Sequence, residues 1–169
     1  MKKFLLILLF LAACGRRDEP SDKAAAADSR AAGGSAADPA PASAASPRLT
    51  GLFEGGAGPQ KNQLCIVEKG RETRFGLLVW GANLHSCSGA GVATREGERL
   101  RLRMTGDETC TIEAAMEGGS VTLPATLPTG CAYYCGARAS LARARFDRIG
   151  STEAEAKKAT DIAGDPLCE

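Results

Sequence analysis

Arginine alternates with leucine or methionine through residues 99–104, and this short pattern constrains the fold more than any other part of the chain. A two-residue period is typical of a β-strand that buries one face and exposes the other. The apolar face holds Leu100, Leu102 and Met104, and the polar face holds Arg99, Arg101 and Arg103. We therefore expect a half-buried strand here.

Seven further segments have the composition of strands, and glycine-containing turns separate most of them. They are residues 49–54, 63–68, 74–80, 89–94, 109–115, 120–123 and 139–146. In the last segment, we expect Ala142, Ala144 and Phe146 to face inward and Arg143 and Arg145 to face outward. Eight short strands joined by tight turns predict an all-β antiparallel meander, and closing it into an eight-stranded barrel would remove its exposed edges. A two-sheet β-sandwich is the alternative.

One short helix is expected near the C-terminus. Thr152 and Glu155 have the spacing of a capping box, which begins a helix. The alanine-rich residues that follow favour its continuation to about Ile162, and Gly164 is expected to stop it.

Residues 1–13 have the layout of a secretory signal. Lys2 and Lys3 precede an apolar run that is much shorter than the roughly 20 residues that a membrane-spanning helix needs. The run ends in Leu11-Ala12-Ala13-Cys14. This ending resembles the bacterial lipoprotein signal, and the resemblance implies that Cys14 is lipidated, with palmitate among its acyl chains, and anchors the chain to a membrane. Because Gly15 rather than Asp follows the cysteine, the resemblance also implies delivery to the periplasmic face of the outer membrane.

Residues 14–47 are expected to form a tether, and residues 48–169 a single folded domain. The stretch 16–47 is rich in Ala, Ser and Pro and lacks any aromatic, Leu, Ile or Val residue. It therefore has too little apolar surface to offset the entropy of ordering, and a flexible coil of this length spans on the order of 30 Å. The whole chain balances 21 Lys and Arg against 20 Asp and Glu, so no strong positive field would attract nucleic acid.

The chain contains seven cysteines, and six remain once Cys14 is set aside. An even number in an exported domain predicts three disulfides, formed among Cys65, Cys87, Cys110, Cys131, Cys135 and Cys168. The sequence leaves their pairing open. Cys131 and Cys135 could bridge each other, although ties to separate strands are favoured, and a Cys168 disulfide could hold the C-terminal helix on the sheet.

A metal site is the alternative use of some of these cysteines. Its candidate ligands are His85, Cys87, Cys131 and Cys135. Structural zinc sites have tight ligand pairs two to four residues apart, whereas His85 and Cys87 have one residue between them. We expect no metal and no other cofactor.

No pattern of catalytic residues stands out. Ser86 and Ser88 flank His85, the single histidine of the chain, but a hydrolase would also need an orienting acid brought close in space. Nucleophile-elbow, zinc-protease and phosphate-loop motifs are not found in the sequence. We therefore expect a protein that is not an enzyme.

The segment Ser88-Gly89-Ala90-Gly91 is made of small residues, which allow another backbone to come close. A bulge or tight bend in a barrel would use it in this way. The segment also resembles the Ser-Gly-x-Gly loop of the membrane-bound inhibitors of c-type lysozyme, which are small lipid-anchored β-barrels with disulfides. That resemblance implies a role for Ser88, Gly89 and Gly91 in the cleft of a lysozyme.

The domain as a whole more closely resembles a group of uncharacterised lipoproteins from alphaproteobacteria. The matching segments are Gln63-Leu64-Cys65-Ile66-Val67, Phe75-Gly76-Leu77-Leu78-Val79-Trp80-Gly81, Cys87-Ser88-Gly89-Ala90-Gly91 and Gly130-Cys131-Ala132-Tyr133-Tyr134-Cys135-Gly136. This resemblance implies location and organisation only.

Two further features are candidate partner-binding surfaces. Arg99, Arg101 and Arg103, joined by Arg95, Arg143 and Arg145, could form a basic stripe for an anionic glycan, a lipid headgroup or an acidic protein. The alternative is a solvated face whose arginines pair with acids on neighbouring strands. Tyr133 and Tyr134 place aromatic rings between two cysteines, and we expect one of the two to pack inward.

These observations predict a lipid-anchored protein of the cell envelope with a non-catalytic binding or structural role. Its expected contacts are the membrane, through the lipidated N-terminus, and an envelope protein or an anionic glycan; nucleic acid is not expected. Inhibition of a cell-wall hydrolase of the c-type lysozyme kind is the alternative function.

Overall fold

The computed structural model describes residues 48–169. The predicted signal peptide, lipidated Cys14 and tether therefore lie outside the described residues.

Eight strands form a closed antiparallel barrel in which each strand pairs with the next and the eighth pairs with the first. The strands are β1 (Gly51–Gly55), β2 (Asn62–Lys69), β3 (Glu72–Trp80), β4 (Ser86–Glu96), β5 (Arg99–Met104), β6 (Thr111–Glu117), β7 (Ser120–Thr122) and β8 (Arg145–Gly150). The predicted meander and its closure are confirmed, and the sandwich alternative is wrong.

The alternation that predicted β5 is visible in its burial. Leu100, Leu102 and Met104 are buried inside the barrel, and the arginines between them are exposed. The interior is filled by large apolar side chains, among them Phe53, Phe75 and Phe146. The middle of the barrel is therefore a packed core.

Strand β2 departs from simple alternation because Leu64, Cys65, Ile66 and Val67 are all buried. Leu64 and Ile66 belong to the main core. Cys65 and Val67 face the other way, where they form a second cluster with residues of the C-terminal segment: Ala156, Ala159 and Cys168. The outer wall of the barrel is thus covered at β1 and β2, and both faces of β2 are apolar for that reason.

The C-terminal helix is shorter than predicted. It spans Glu153–Ala156, and its capping box is formed as expected: the Thr152 hydroxyl accepts from the backbone N–H of Glu155, and the Glu155 carboxylate accepts from the N–H of Thr152. The hydroxyl donated by Thr152, together with the N–H groups of Ser151 and Thr152, holds the pKa of the Glu155 carboxyl below its usual value.

The predicted continuation of this helix to Ile162 is wrong. Ala159 packs in the apolar cluster on the outer wall of the barrel. The backbone N–H of Thr160 donates a hydrogen bond to the side-chain oxygen of Gln63 on β2 at 3.1 Å. These tertiary contacts outweigh the helix preference of alanine.

The predicted strand at residues 139–146 is also wrong over most of its length. Of these residues, Arg145 and Phe146 belong to β8, and the rest form turns that lead into it. Ala144 and Phe146 are buried as expected, whereas Ala142 is half-buried. Arg143 has φ of 60°, and its N–H bonds to the Pro124 carbonyl rather than to a strand. The β7–β8 connection closes over one end of the barrel, which an extended strand could not do.

Three disulfides are present, as predicted. Cys65 is bonded to Cys168, Cys87 to Cys135, and Cys110 to Cys131. Cys131 and Cys135 therefore tie to separate parts of the sheet, as favoured, and Cys168 holds the C-terminal segment on β2.

We expect the Cys65–Cys168 bond to contribute most to stability, because it joins residues 103 apart. Replacing both cysteines by alanine should lower the free energy of unfolding by about 2–5 kcal/mol, since loop-closure entropy grows with the length of the loop. Urea unfolding followed by fluorescence of Trp80, the single tryptophan, measures the change. The Cys110–Cys131 bond joins residues only 21 apart, so replacing both of these cysteines by alanine should lower the free energy of unfolding by less. A larger loss for this second variant would contradict the expectation.

Candidate functional site

The two ends of the barrel are built differently. At one end, the β7–β8 connection carries a 3₁₀ helix, Thr129–Tyr134, which two disulfides fasten to the barrel. We call this region, residues 123–144, the stapled end. At the other end, β4 and β8 finish, β1 begins, and arginines line a cavity.

The two tyrosines of the stapled end have different roles. The Tyr134 hydroxyl donates to the Thr105 carbonyl at 3.1 Å and accepts from the Asp107 N–H at 2.7 Å, so this side chain is part of the structure. Tyr133 is 76% exposed and lies edge-on to the Tyr134 ring, with 5.1 Å between centroids. As expected, one tyrosine packs inward, and the other presents its ring to solvent.

A shallow groove of about 520 Å³ lies at the stapled end, and its lining includes Ala132, the residue before Tyr133 in the chain. Small and apolar side chains line much of it, including Leu127, Pro128, Ala132 and Leu141. Cys131 and Cys135, which are each held by a disulfide, also line it. The stapled end therefore has an exposed aromatic ring and a partly apolar groove on a disulfide-bonded support.

Tyr134→Phe should lower the free energy of unfolding by about 1–2 kcal/mol, because it removes a hydroxyl that makes two hydrogen bonds to the backbone. Tyr133→Phe is the matched control and should change stability by less than about 0.5 kcal/mol, as surface substitutions usually do. Thermal or urea unfolding of both variants measures the difference. Equal effects would contradict the separation of roles.

The Ser-Gly-x-Gly segment lies within a strand. Ser88, Gly89 and Gly91 belong to β4, which pairs with β3 without interruption from residue 86 to residue 92. The expected bulge or bend is therefore absent from this part of the described chain, and the segment does not project as a loop.

The two glycines make close packing possible inside the barrel. A Cβ at Gly91 would overlap the Arg103 carbonyl of β5 and crowd the Phe75 ring. One at Gly89 would meet Met104 and the Tyr134 ring. The small residues thus serve the approach of neighbouring groups of the same chain, while Ser88 is half-buried on the opposite face of β4.

Gly91→Ala should destabilise the domain by about 1–3 kcal/mol, because a methyl group would be forced into a filled position. Ser88→Ala, three residues away on the same strand, should change stability by less than about 0.5 kcal/mol. Urea denaturation midpoints of the two variants provide the comparison. A tolerated Gly91→Ala would show that the position has room.

Acidic residues on the neighbouring strands lie beside the arginines of β5. Arg101 Nε donates to Glu113 Oε1 at 2.7 Å. This bond, the charge of Glu113 and the charge of Glu96 raise the pKa of Arg101. Arg99 lies directly opposite Glu96 in the β4–β5 register. The face is therefore of mixed charge, as the alternative interpretation of this row expects.

The other three arginines assigned to the stripe belong elsewhere. Arg145 lies on β8, where it contacts Asp147 at 3.0 Å and the Ser120 hydroxyl at 2.7 Å. The hydrogen bond from Ser120 is the main cause of the lowered pKa of Asp147. Arg95 follows the parity of buried Ala93 on β4 and therefore faces the inside of the barrel. Arg143 lies in the connection before β8.

The cysteines proposed as metal ligands are all oxidised. Cys87, Cys131 and Cys135 take part in disulfides, so they offer no thiolate to accompany His85. Within residues 48–169, no group of three or more His, Cys, Asp or Glu side chains is placed to hold a metal ion.

The opposite end of the barrel holds a cluster that the sequence analysis did not assign as a site. Arg48, Arg95 and Arg148 line a cavity of about 650 Å³, which we call the arginine mouth. Burial and the charge of Arg95 lower the pKa of Arg148, and the charge of Glu68 acts in the opposite direction. The two-residue period of the strands could have predicted that both arginines face inward, since Arg95 is two residues after buried Ala93 and Arg148 is two residues after buried Phe146.

No protein-family model, curated protein or solved structure matches this chain. In the described part of the chain, none of the helices has the length and apolar character to cross a membrane.

Proposed function

We propose that this chain is a lipid-anchored protein of the bacterial cell envelope that works without catalysis, by binding an envelope protein at its stapled end. The single observation that carries the binding role is Tyr133, which is 76% exposed on a helix fastened by two disulfides. A large aromatic ring held rigidly in solvent offers contact area at low entropic cost on binding.

The anchor and the location rest on the N-terminal pattern together with the disulfides. Leu11-Ala12-Ala13-Cys14 resembles the lipoprotein signal, and Gly15 favours the periplasmic face of the outer membrane. All six remaining cysteines are paired, which fits an oxidising compartment. Two or more acyl chains on Cys14 would give stable membrane attachment.

Inhibition of c-type lysozyme is the second candidate. The closed, disulfide-bonded barrel is the architecture that the resemblance implies. In this protein, however, Ser88 lies within β4 and not on a projecting loop, so insertion into a cleft would require the strand to leave its pairing. The first candidate needs no such rearrangement.

The experiment places a photo-crosslinking amino acid at position 133 of the full chain in intact cells. The matched control position is Ile149, an apolar residue that is 54% exposed on the barrel wall. We expect one discrete product from position 133 and none of the same mass from position 149. The captured protein, once purified, should then bind the wild-type chain about tenfold more tightly than Tyr133→Ala, the cost expected for a binding hot spot, while Ile149→Ala binds as the wild type does.

Two further experiments test the alternative function and the membrane anchor. Stoichiometric suppression of c-type lysozyme by the chain, lost on Ser88→Ala, would replace the first candidate by the second. Cys14→Ser should move the protein from the membrane fraction to the periplasmic fraction and abolish labelling with palmitate. Unchanged fractionation would contradict the anchor while leaving the test of Tyr133 intact.

A further inference from the structure

Charge is unevenly distributed over this chain, whose net charge is only +1. The stapled end, residues 123–144, contains no Asp or Glu, and its only charged residues are Arg138 and Arg143. The β3–β4 turn, residues 81–85, which packs against this end, contains no acid either. The segments that build this end therefore carry positive charge without an acid of their own.

The acids of the β5–β6 loop come towards the stapled end through the Cys110–Cys131 bond, but they do not neutralise its groove. These acids are Asp107 and Glu108, and neither lines the groove. The Asp107 carboxylate is engaged within its own loop, because it accepts from the backbone N–H and the hydroxyl of Thr109. The positive charge of the stapled end is thus left for another molecule to balance.

The two arginines border the groove and are unpaired within the described residues. Arg138 lies between Ala137 and Ala139, which both line the groove, and Arg143 follows Ala142, another lining residue. Both arginines are exposed. Unlike the arginines that pair with acids on β5 and β8, neither guanidinium has a hydrogen bond or an ion pair within residues 48–169. Their donors are therefore available to the carboxylates of a partner.

The β3–β4 turn adds an apolar side chain to the same end. The Ala82 N–H donates to the Arg138 carbonyl at 3.0 Å, and the Gly136 N–H donates to the Ser86 carbonyl at 2.8 Å, so the turn is held against the stapled end. Leu84 in this turn is 68% exposed and has φ of 62°, which is unfavourable for a residue with a Cβ. An exposed leucine gains no burial to offset that strain, and strain of this kind is typical of binding sites.

Apolar and cationic side chains therefore occur together at this end. Within residues 48–169, four large apolar side chains are exposed, and Leu84 and Tyr133 are two of them. We use the name docking face for the groove together with four exposed side chains: Leu84, Tyr133, Arg138 and Arg143. A complementary partner has the opposite pattern, with apolar residues to cover the leucine and the tyrosine and acids to meet the arginines.

We infer that the docking face binds an acidic segment of a protein, in which Asp or Glu residues flank the apolar residues that cover Leu84 and Tyr133. This inference rests on the proposed function and adds the chemistry of the contact. Guanidinium groups form two parallel hydrogen bonds to a carboxylate, which favours acidic side chains as their partners. An anionic glycan would satisfy the arginines but would offer no apolar side chain to the strained leucine.

Mapping of crosslinks tests the identity of the bound segment. A photo-crosslinking amino acid is placed at position 84 or at position 133 of the full chain in intact cells, and the crosslinked peptides are sequenced by mass spectrometry. We expect both positions to capture the same protein, through one segment with more Asp and Glu than Lys and Arg. Ile162, which is also 68% exposed, is the matched control position and should not capture this protein.

The outcomes separate this inference from the proposed function. The absence of a discrete product from position 133 contradicts the proposed function and the inference together. A discrete product from position 133 whose crosslinked segment is neutral or basic overturns the inference alone, as does capture of different proteins from positions 84 and 133.

Binding kinetics test the role of the arginines. The captured protein, once purified, is measured against the full chain carrying Cys14→Ser. Combining Arg138→Gln with Arg143→Gln should lower the association rate constant about tenfold at low salt and much less at about 0.5 M salt, because charges at a rim steer the encounter and are screened by ions. Tyr133→Ala should instead raise the dissociation rate constant.

The matched control removes two arginines from the opposite end of the barrel. Arg71 lies in the β2–β3 turn and Arg99 at the start of β5, and both are exposed. Combining Arg71→Gln with Arg99→Gln should leave the association rate constant within about twofold. Equal losses for the two double variants, or no loss for the variant of the docking face, would overturn the inference.

Leu84→Gly separates binding from folding. Glycine adopts positive φ readily, so this variant should not lower the Tm of the domain. It should nevertheless weaken binding of the captured protein about fivefold, the loss expected for an apolar contact at an interface. Unchanged affinity would show that the leucine is not covered by the partner and would contradict the inference.

Heparin serves as the probe for an anionic glycan. Binding of heparin that is lost on Arg138→Gln with Arg143→Gln, is unaffected by Leu84→Gly and is tighter than binding of the captured protein would assign the face to a glycan and overturn the inference. Thermal unfolding of each variant shows that the domain is folded. Should Arg143→Gln fail to fold, Arg138→Gln against Arg71→Gln provides the same comparison of association rates.

Discussion

The pairing of β8 with β1 is the interaction on which the rest of the structure depends. It joins the last strand of the meander to the first, through Leu52, Phe53 and Glu54 of β1. Without it, both strands would present an open row of backbone donors and acceptors, which natural sheets avoid. Closure also brings Arg148 of β8 onto Phe53 of β1, so the same pairing that completes the core creates the arginine mouth.

The closed barrel has two ends, and they differ in what covers them. One end is covered by the β7–β8 connection, which the Cys87–Cys135 and Cys110–Cys131 bonds fasten to the barrel. This rigid cover can present Tyr133 without packing it. The other end has no such cover among the described residues and is lined by charge. The packed core in the middle of the barrel separates the two ends.

Much of the fold could be predicted because strand alternation is a local property. The alternation of Leu100, Leu102 and Met104 predicts their shared buried face from one short segment. Glycines with positive φ lie at the turns, as at Gly70 and Gly97. The errors fall where distant contacts outweigh local preference. The alanines after Ala156 favour helix, yet Gln63 and the outer wall of β2 determine their conformation. The candidate site was predicted in part, since Tyr133 was identified and the pair Arg95 and Arg148 was not.

By itself, the sequence determined the number of strands, the antiparallel meander and the even set of six cysteines, because composition and a two-residue period are readable one segment at a time. Only the tertiary structure decided which cysteines pair, which tyrosine is free, and which arginines meet. Arg95 and Arg148 lie 53 positions apart in the chain, and no local pattern relates them. They become neighbours because closing the barrel brings β4 and β8 to the same end with their charged residues turned inward.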